Sequence, residues 1–197
     1  MHARDLTVRR GTEILFNALN FDLQPGQLVW LRGPNGSGKT SLLRVLAGLS
    51  KPDGGQLIHG SLPLVYVGHS NALKDDLTAL EALQFLATLH GRQCQGEMLN
   101  AALRRLGVFH RRRLAVRVLS QGQRRRVALA RLALEDKPGF WLLDEPFEAL
   151  DDAGLTLVQE LFCDNVRLGG TVLFTSHIPV RPEQLPLVEL TLQGKLA

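Results

Sequence analysis

Leu28-Val29-Trp30-Leu31-Arg32-Gly33-Pro34-Asn35-Gly36-Ser37-Gly38-Lys39-Thr40-Ser41 decides how this chain folds. The apolar run Leu28 to Leu31 reads as a buried strand, and Ser41 to Gly48 has helical apolar spacing closed by a glycine stop. Strand, glycine-rich turn and helix form the context in which Gly33 to Thr40 acts as a phosphate loop. Gly33, Gly36 and Gly38 open backbone angles closed to other residues, so loop amides can approach phosphate oxygens. The helix start adds unpaired N–H donors and a partial positive charge. Lys39 would reach the β- and γ-phosphates of a nucleoside triphosphate, and Thr40 would offer its hydroxyl to Mg²⁺. The candidate nucleoside-triphosphate-binding set is therefore Gly33, Pro34, Asn35, Gly36, Ser37, Gly38, Lys39, Thr40 and Ser41. A glycine-rich turn with an incidental lysine would not need this spacing or these flanks.

A second site belongs with the loop. Trp141-Leu142-Leu143-Asp144-Glu145 is an apolar strand ending in two carboxylates. A buried parallel strand delivers its last residues to the edge where phosphates sit. Asp144 would accept a water bound to Mg²⁺, and Glu145 would face the γ-phosphate and polarise an attacking water. Alone the pair could cap a turn through Pro146; behind a complete phosphate loop it reads as catalytic. Ser120 in Leu119-Ser120-Gln121-Gly122-Gln123 is a natural cap for a helix over Arg124 to Leu134, and Gly122 leaves the backbone free to touch a ligand. One γ-phosphate does not need two such helix starts. The second serves another subunit.

Length and composition fit one α/β domain of 197 residues, with 45% apolar and 21% charged content. No run approaches the ~20 apolar residues of a membrane span, and the start of the chain lacks a signal-peptide pattern. Cys94 and Cys163 are isolated, the pattern of reduced cytosolic thiols. The net charge of +4 is uneven: residues 98 to 134 hold ten arginines and no acid, while the remainder carries 13 basic and 19 acidic residues. So dense a basic segment suggests an anionic partner, and its ordinary alternative is a solvated helical face.

Short strands are expected at Leu6 to Arg9, Leu19 to Leu23 and Gln56 to His59 in an antiparallel layer, with buried strands at Leu64 to Val67, Phe140 to Leu143 and Thr171 to Thr175. Between Asp75 and Gln123 the pattern is helical. Thr78 and Glu81 have capping-box spacing; Leu83, Leu86 and Leu89 with Phe85 make one stripe, and Leu99, Ala102, Leu103 and Leu106 another. A later helix carries Leu155, Val158, Leu161 and Phe162 on one face.

The phosphate loop, Leu119 to Gln123, Trp141 to Glu145, Ala149-Leu150-Asp151 and Thr175-Ser176-His177 follow one another as in ATP-binding-cassette (ABC) ATPases, which the chain resembles over nearly its whole length. The resemblance implies a phosphate-loop NTPase core with an N-terminal antiparallel layer and a helical lobe inserted at about 70–123, all in one domain over 1–197. It implies head-to-tail dimers with two ATPs sandwiched between one subunit's phosphate loop and the other's signature, Ser120, Gln121, Gly122 and Gln123. Asp151 would sit at the dimer seam. His177 would hold the γ-phosphate and orient Glu145, the two forming the catalytic pair, while Thr40 and Asp144 would hold Mg²⁺.

Two positions depart from the pattern. Gly68-His69-Ser70 stands where a glutamine belongs, so His69 would replace it as a weak partner of Mg²⁺-bound water. Arg10 stands where an aromatic usually stacks on adenine. The short length, Gly68-His69, Gln123-Arg124-Arg125-Arg126-Val127-Ala128-Leu129-Ala130-Arg131 and Pro146-Phe147 resemble the ATP-binding subunits of cytochrome c maturation complexes, described as haem exporters. That implies integral membrane subunits, a peripheral place on the cytoplasmic face of the membrane, and a haem-chaperone pathway. The chain itself has no haem motif. The alternatives are the cassette of another ABC transporter and, with only the arginines behind it, a nucleic-acid-associated ABC ATPase.

Overall fold

The computed structural model describes residues 1–179 and 185–193. The chain divides into two compact units.

Unit 1 comprises Met1–Tyr66, Pro138–Glu145 and the described residues from Asn165 onward. Strands β1 (His2–Arg10), β2 (Glu13–Asp22) and β4 (Gly54–Ile58) form an antiparallel sheet in the order β2-β1-β4. The second sheet has the order β5-β6-β7-β3-β8, from β3 (Leu28–Arg32), β5 (Leu64–Val67), β6 (Phe140–Leu143), β7 (Thr171–Thr175) and β8 (Leu187–Thr191). β6, β7, β3 and β8 run parallel, which explains their apolar content: Leu28 to Leu31, Phe140 to Leu143 and Thr171 to Thr175 are all buried. In register, Leu31 lies beside Thr175 and Leu143 beside Phe174. The parallel alignment brings Gly33, Asp144 and Ser176, each just past a strand end, to one edge of the sheet. Helix α1 (Lys39–Leu46) packs Leu42, Leu43 and Leu46 into a core with Leu6, Leu31, Leu142 and Leu173. Asn165, buried, accepts from Gly139 N at 2.9 Å and donates to Gly139 O at 3.0 Å, fixing the entry into β6.

Unit 2 comprises Val67–Lys137 and Pro146–Asp164. It is built from α2 (Ala79–Leu89), α3 (Gly96–Arg105), α4 (Gln121–Leu129) and most of α5 (Asp152–Arg167). Thr78 and Glu81 close the expected capping box on α2. Leu83, Leu86, Leu99, Ala102, Leu103 and Leu106 are buried as the spacing predicts, and so are Val158, Leu161 and Phe162. Leu89 and Phe85 are not: they are 66% and 37% exposed, and Ala79, Ala82 and Ala87 line the buried face of α2 instead. Helix is not continuous between α3 and Ser120. Two short 3-10 turns, Phe109–Arg111 and Val116–Val118, occupy that stretch, and a third (Ala130–Leu134) tightens the end of α4.

The arginine-rich stretch is far less cationic in space than along the chain. Arg104 pairs with Glu97, Arg105 with Asp164, Arg117 with Asp76, Arg124 with Asp75 and Arg126 with Asp151. Arg112 and Arg104 stack on Phe109 with guanidinium carbons 4.0 and 4.3 Å from the ring centroid. Arg131 is buried, and burial pulls it down to about 10. The pairing acids all lie outside residues 98 to 134, which is why the window looked uniformly basic. A broad anion-binding face, and with it the nucleic-acid reading, loses most of its charge.

Candidate functional site

In unit 1 the phosphate loop turns where the sequence places it. Gly38, the N-cap of α1, has φ +95°, and a Cβ there would stand 3.0 Å from Leu15 Cβ and 3.1 Å from the Phe16 ring, so no other residue fits without displacement. Lys39 Nζ donates to Gly33 O at 2.8 Å and Pro34 O at 3.1 Å, which folds the lysine back over the loop. Ser37 is buried, and its hydroxyl has no hydrogen-bond partner among the described residues. Loop residues Gly33 and Pro34 line a cavity of about 580 Å³ with Lys39, Ser176 and His177.

Across the sheet edge a continuous chain of hydrogen bonds joins the acidic residues to the loop helix. Thr40 Oγ1 donates to Asp144 Oδ2 at 2.8 Å, and Thr175 Oγ1 donates to Asp144 Oδ1 at 2.8 Å. The same Thr175 oxygen accepts Glu145 N–H at 2.8 Å. His177 N–H donates to Glu145 Oε2 at 3.1 Å, and His177 Nε2 lies 3.4 Å from Glu145 Oε1. Glu145 has φ +50°, a strained angle for a non-glycine residue and one that is found at functional sites. Asp144 is 3% exposed, and the Glu145 side chain 14%, against 60% for His177. Burial, reinforced by the charge of Asp144, pushes the Tyr66 phenol above its usual range.

The hard oxygen donors Thr40 Oγ1 and Asp144 Oδ2, already in contact, fit a divalent cation of the Mg²⁺ type. The folded-back lysine, the unpartnered Ser37 hydroxyl and the helix start of α1 fit the phosphates of a nucleotide. Arg10 ends β1 and is exposed.

Unit 2 holds the signature. Ser120 caps α4 with a full capping box: Gln123 N–H donates to Ser120 Oγ at 3.2 Å and Ser120 N–H to Gln123 Oε1 at 3.1 Å. Gly122 is needed for contact rather than freedom, since a Cβ would stand 2.4 Å from Ala149 O. His69 Nδ1 lies 3.2 Å from Glu148 Oε2, both well exposed. The His69 loop is pinned by Arg125, which is buried and donates to Gly68 O, His69 O, Asn71 Oδ1 and Pro146 O. Asn71, Gln121, Arg124 and Glu148 line a cavity of about 480 Å³ with His69. Asp151 accepts Gly154 N–H at 2.9 Å as the cap of α5.

Thr175 and Arg125 are the two residues whose roles the sequence concealed. A threonine in a β-branched strand and one arginine among three carry no mark of their own. The residue types around them, carboxylates at a strand end and a turn-forming Gly68-His69-Ser70, were the only local hint.

The ABC transporter family profile matches residues 16–148. The chain belongs to the ABC transporter family. It is 44% identical over 186 residues to the cytochrome c biogenesis ATP-binding export protein CcmA of Nitrosomonas europaea, covering 89% of this chain and 87% of the relative. To the CcmA protein of Aromatoleum aromaticum it is 40% identical over 205 residues, covering 96% of each. Among solved structures, the dimeric ATP-binding cassette MJ0796, in a post-hydrolysis state bound to ADP and Pi, superposes with a TM-score of 0.75 at 25% identity, over 90% of this chain and 88% of that one. These family members are ATP-binding proteins, and as an ABC ATPase this chain binds nucleotide. Among the described residues no helix is long and apolar enough to cross a membrane.

Proposed function

We propose that the chain is the ATP-hydrolysing subunit of a cytochrome c biogenesis export complex, with Glu145 polarising the attacking water. The hydrolytic role is carried by the chain of contacts Thr40–Asp144–Thr175–Glu145–His177 at the sheet edge beside the phosphate loop, and the export complex by the likeness to the two CcmA relatives. Thr40 and Asp144 would hold Mg²⁺, which supplies charge neutralisation at the phosphate oxygens. Lys39 exchanges its two loop carbonyls for the β- and γ-phosphates. His177, through its N–H and its ring, keeps the Glu145 carboxylate turned toward the γ-phosphate position, and the Glu145 backbone at φ +50° sets where that side chain starts.

The further parts of the reading follow the resemblance. The signature Ser120 to Gln123 serves the ATP of a second copy, the two units described above belong to one ATP-binding domain, and the lobe about His69 docks an integral membrane subunit at the cytoplasmic face. Haem, or a haem-loaded chaperone, is the cargo of the partners.

The test is Glu145→Gln. It is expected to retain ATP binding, lose turnover and accumulate a nucleotide-bound dimer. Full ATPase activity in that variant removes Glu145 from the mechanism.

A further inference from the structure

Trp30 lies on β3, three residues before Gly33, and is 6% exposed. Its ring stacks on that of Phe174, its register partner on β7, with centroids 6.4 Å apart and planes within 6°. Packing alone at this position asks for any large apolar ring. A buried tryptophan is distinguished by its N–H, which needs a partner. Here Nε1–H donates to Ser176 O at 3.3 Å.

That carbonyl belongs to the peptide group joining Ser176 to His177, and the N–H of the same peptide group donates to Glu145 Oε2 at 3.1 Å. One rigid amide plane is therefore held at both ends, by the indole on its oxygen and by the catalytic carboxylate on its nitrogen. Hydrogen bonding at a carbonyl polarises the amide and strengthens what its N–H donates. The turn is closed on its other side by Ser176 Oγ, which donates to Ile178 O at 2.7 Å and accepts Ile178 N–H at 3.0 Å. Trp30 also lines the cavity that Lys39 and His177 share.

We propose that Trp30 is a positioning residue for hydrolysis: through the Ser176–His177 peptide it fixes the donor that orients Glu145. It ties the strand feeding the phosphate loop to the turn carrying His177. The proposal rests on the reading of Glu145 as the polarising carboxylate.

The sequence has two tryptophans, so a Trp141→Phe chain leaves Trp30 as the sole site for analogue incorporation. In that chain Trp30 is replaced by β-(3-benzothienyl)alanine, which keeps the shape and stack but has no N–H, or by 4-fluorotryptophan, which keeps the N–H. The benzothienyl chain is expected to lose about tenfold in kcat with KM for ATP within about twofold, and the fluorotryptophan chain to stay near its parent. Trp30→Phe should show the same split between kcat and KM. Glu145→Gln is measured beside them. If Glu145→Gln is inactive while the benzothienyl chain turns over within twofold of its parent, the positioning role is overturned and the Glu145 reading stands. A loss confined to KM, or one equally large for fluorotryptophan, overturns it too. If Glu145→Gln is fully active, the reading of Glu145 falls first and the proposal with it.

Discussion

The Thr175 hydroxyl donates to Asp144 Oδ1 and accepts the Glu145 amide, both at 2.8 Å, so one oxygen ties the Asp144 carboxylate to the backbone that carries Glu145. Thr175→Val keeps the β-branched shape and deletes both bonds. A buried carboxylate oxygen and a backbone N–H then lose a partner, at about 1–3 kcal/mol each. Thermal unfolding should show that loss, and kcat should fall by roughly tenfold or more, since 1.36 kcal/mol of misplacement in the barrier already gives a factor of ten. Thr175→Ser should restore most of both. A valine variant with parental kcat would mean that Asp144 and Glu145 hold their places without it.

Lys39→Ala should weaken nucleotide binding itself. Its ammonium lines the loop cavity beside Arg32, whose charge is paired with Glu189, and its bonds to Gly33 O and Pro34 O place it over the loop. Titration with a fluorescent ATP analogue should give a higher dissociation constant for Lys39→Ala and an unchanged one for Glu145→Gln. Equal affinities for the two variants would move Lys39 from binding to chemistry.

Composite sites make a quantitative statement. In the proposed sandwich, homodimers of Lys39→Ala or of Ser120→Arg would have both sites damaged, but a mixed dimer would concentrate both lesions in one site and leave the other intact. With random assortment half the dimers are mixed, so mixing the two inactive proteins should recover about a quarter of parental activity. No recovery, or activity per chain that is independent of concentration in the parent, would refute the sandwich.

The capping box on α2 gives a pH signature. The Thr78 N–H and hydroxyl donate to Glu81 Oε2 at 2.8 and 2.7 Å and hold its carboxyl below the ordinary 4.5. A carboxylate lowered in the fold contributes stability that is present above its unfolded pKa and is lost as pH falls through the lowered value. Glu81→Gln should therefore be less stable than the parent at neutral pH. The gap should narrow on acidification below about pH 4.5, read from urea midpoints across that window. A gap independent of pH would assign the effect to packing.

What the sequence disclosed tracks how local each signal is. The phosphate loop, the Ser120 cap and the Thr78 cap are fixed by neighbours within four residues, and all three stand where the spacing puts them. The edge strand Leu187–Thr191 escaped because it pairs on one side only, follows Pro186 and is half exposed, so its pattern is too weak to separate from a loop. The arginines misled for the opposite reason: Arg105 finds its acid 59 residues away at Asp164, and no window along the chain registers such a pair. Arg125 and Thr175 act on backbone and carboxylate groups that only the fold brings near.

Docking of a membrane partner is the last expectation, and the ion pairs sharpen it. With Arg104, Arg105, Arg117, Arg124 and Arg126 paired and Arg112 stacked on Phe109 among the described residues, Arg111 and Arg113 are the arginines of the 3-10 turn region that these contacts leave to meet an anionic leaflet. At ~1 kcal/mol per basic residue near such a surface, two arginines give weak, salt-sensitive attraction. The cavity beside His69 offers Leu73, Ala72 and Val116 together with Gln121 and Glu148, a mixed contact that salt should screen far less. Near 1 M salt, where the Debye length is about 3 Å, lipid attraction should vanish while partner docking persists. Arg111→Glu with Arg113→Glu should then leave co-purification with the membrane subunits intact. Arg125→Ala, which releases Gly68, His69 and Asn71 from their shared donor, should weaken it. Retention on membranes in high salt without any partner would sink the docking model, and loss of co-purification in the Arg111/Arg113 variant alone would place the contact on the anionic leaflet.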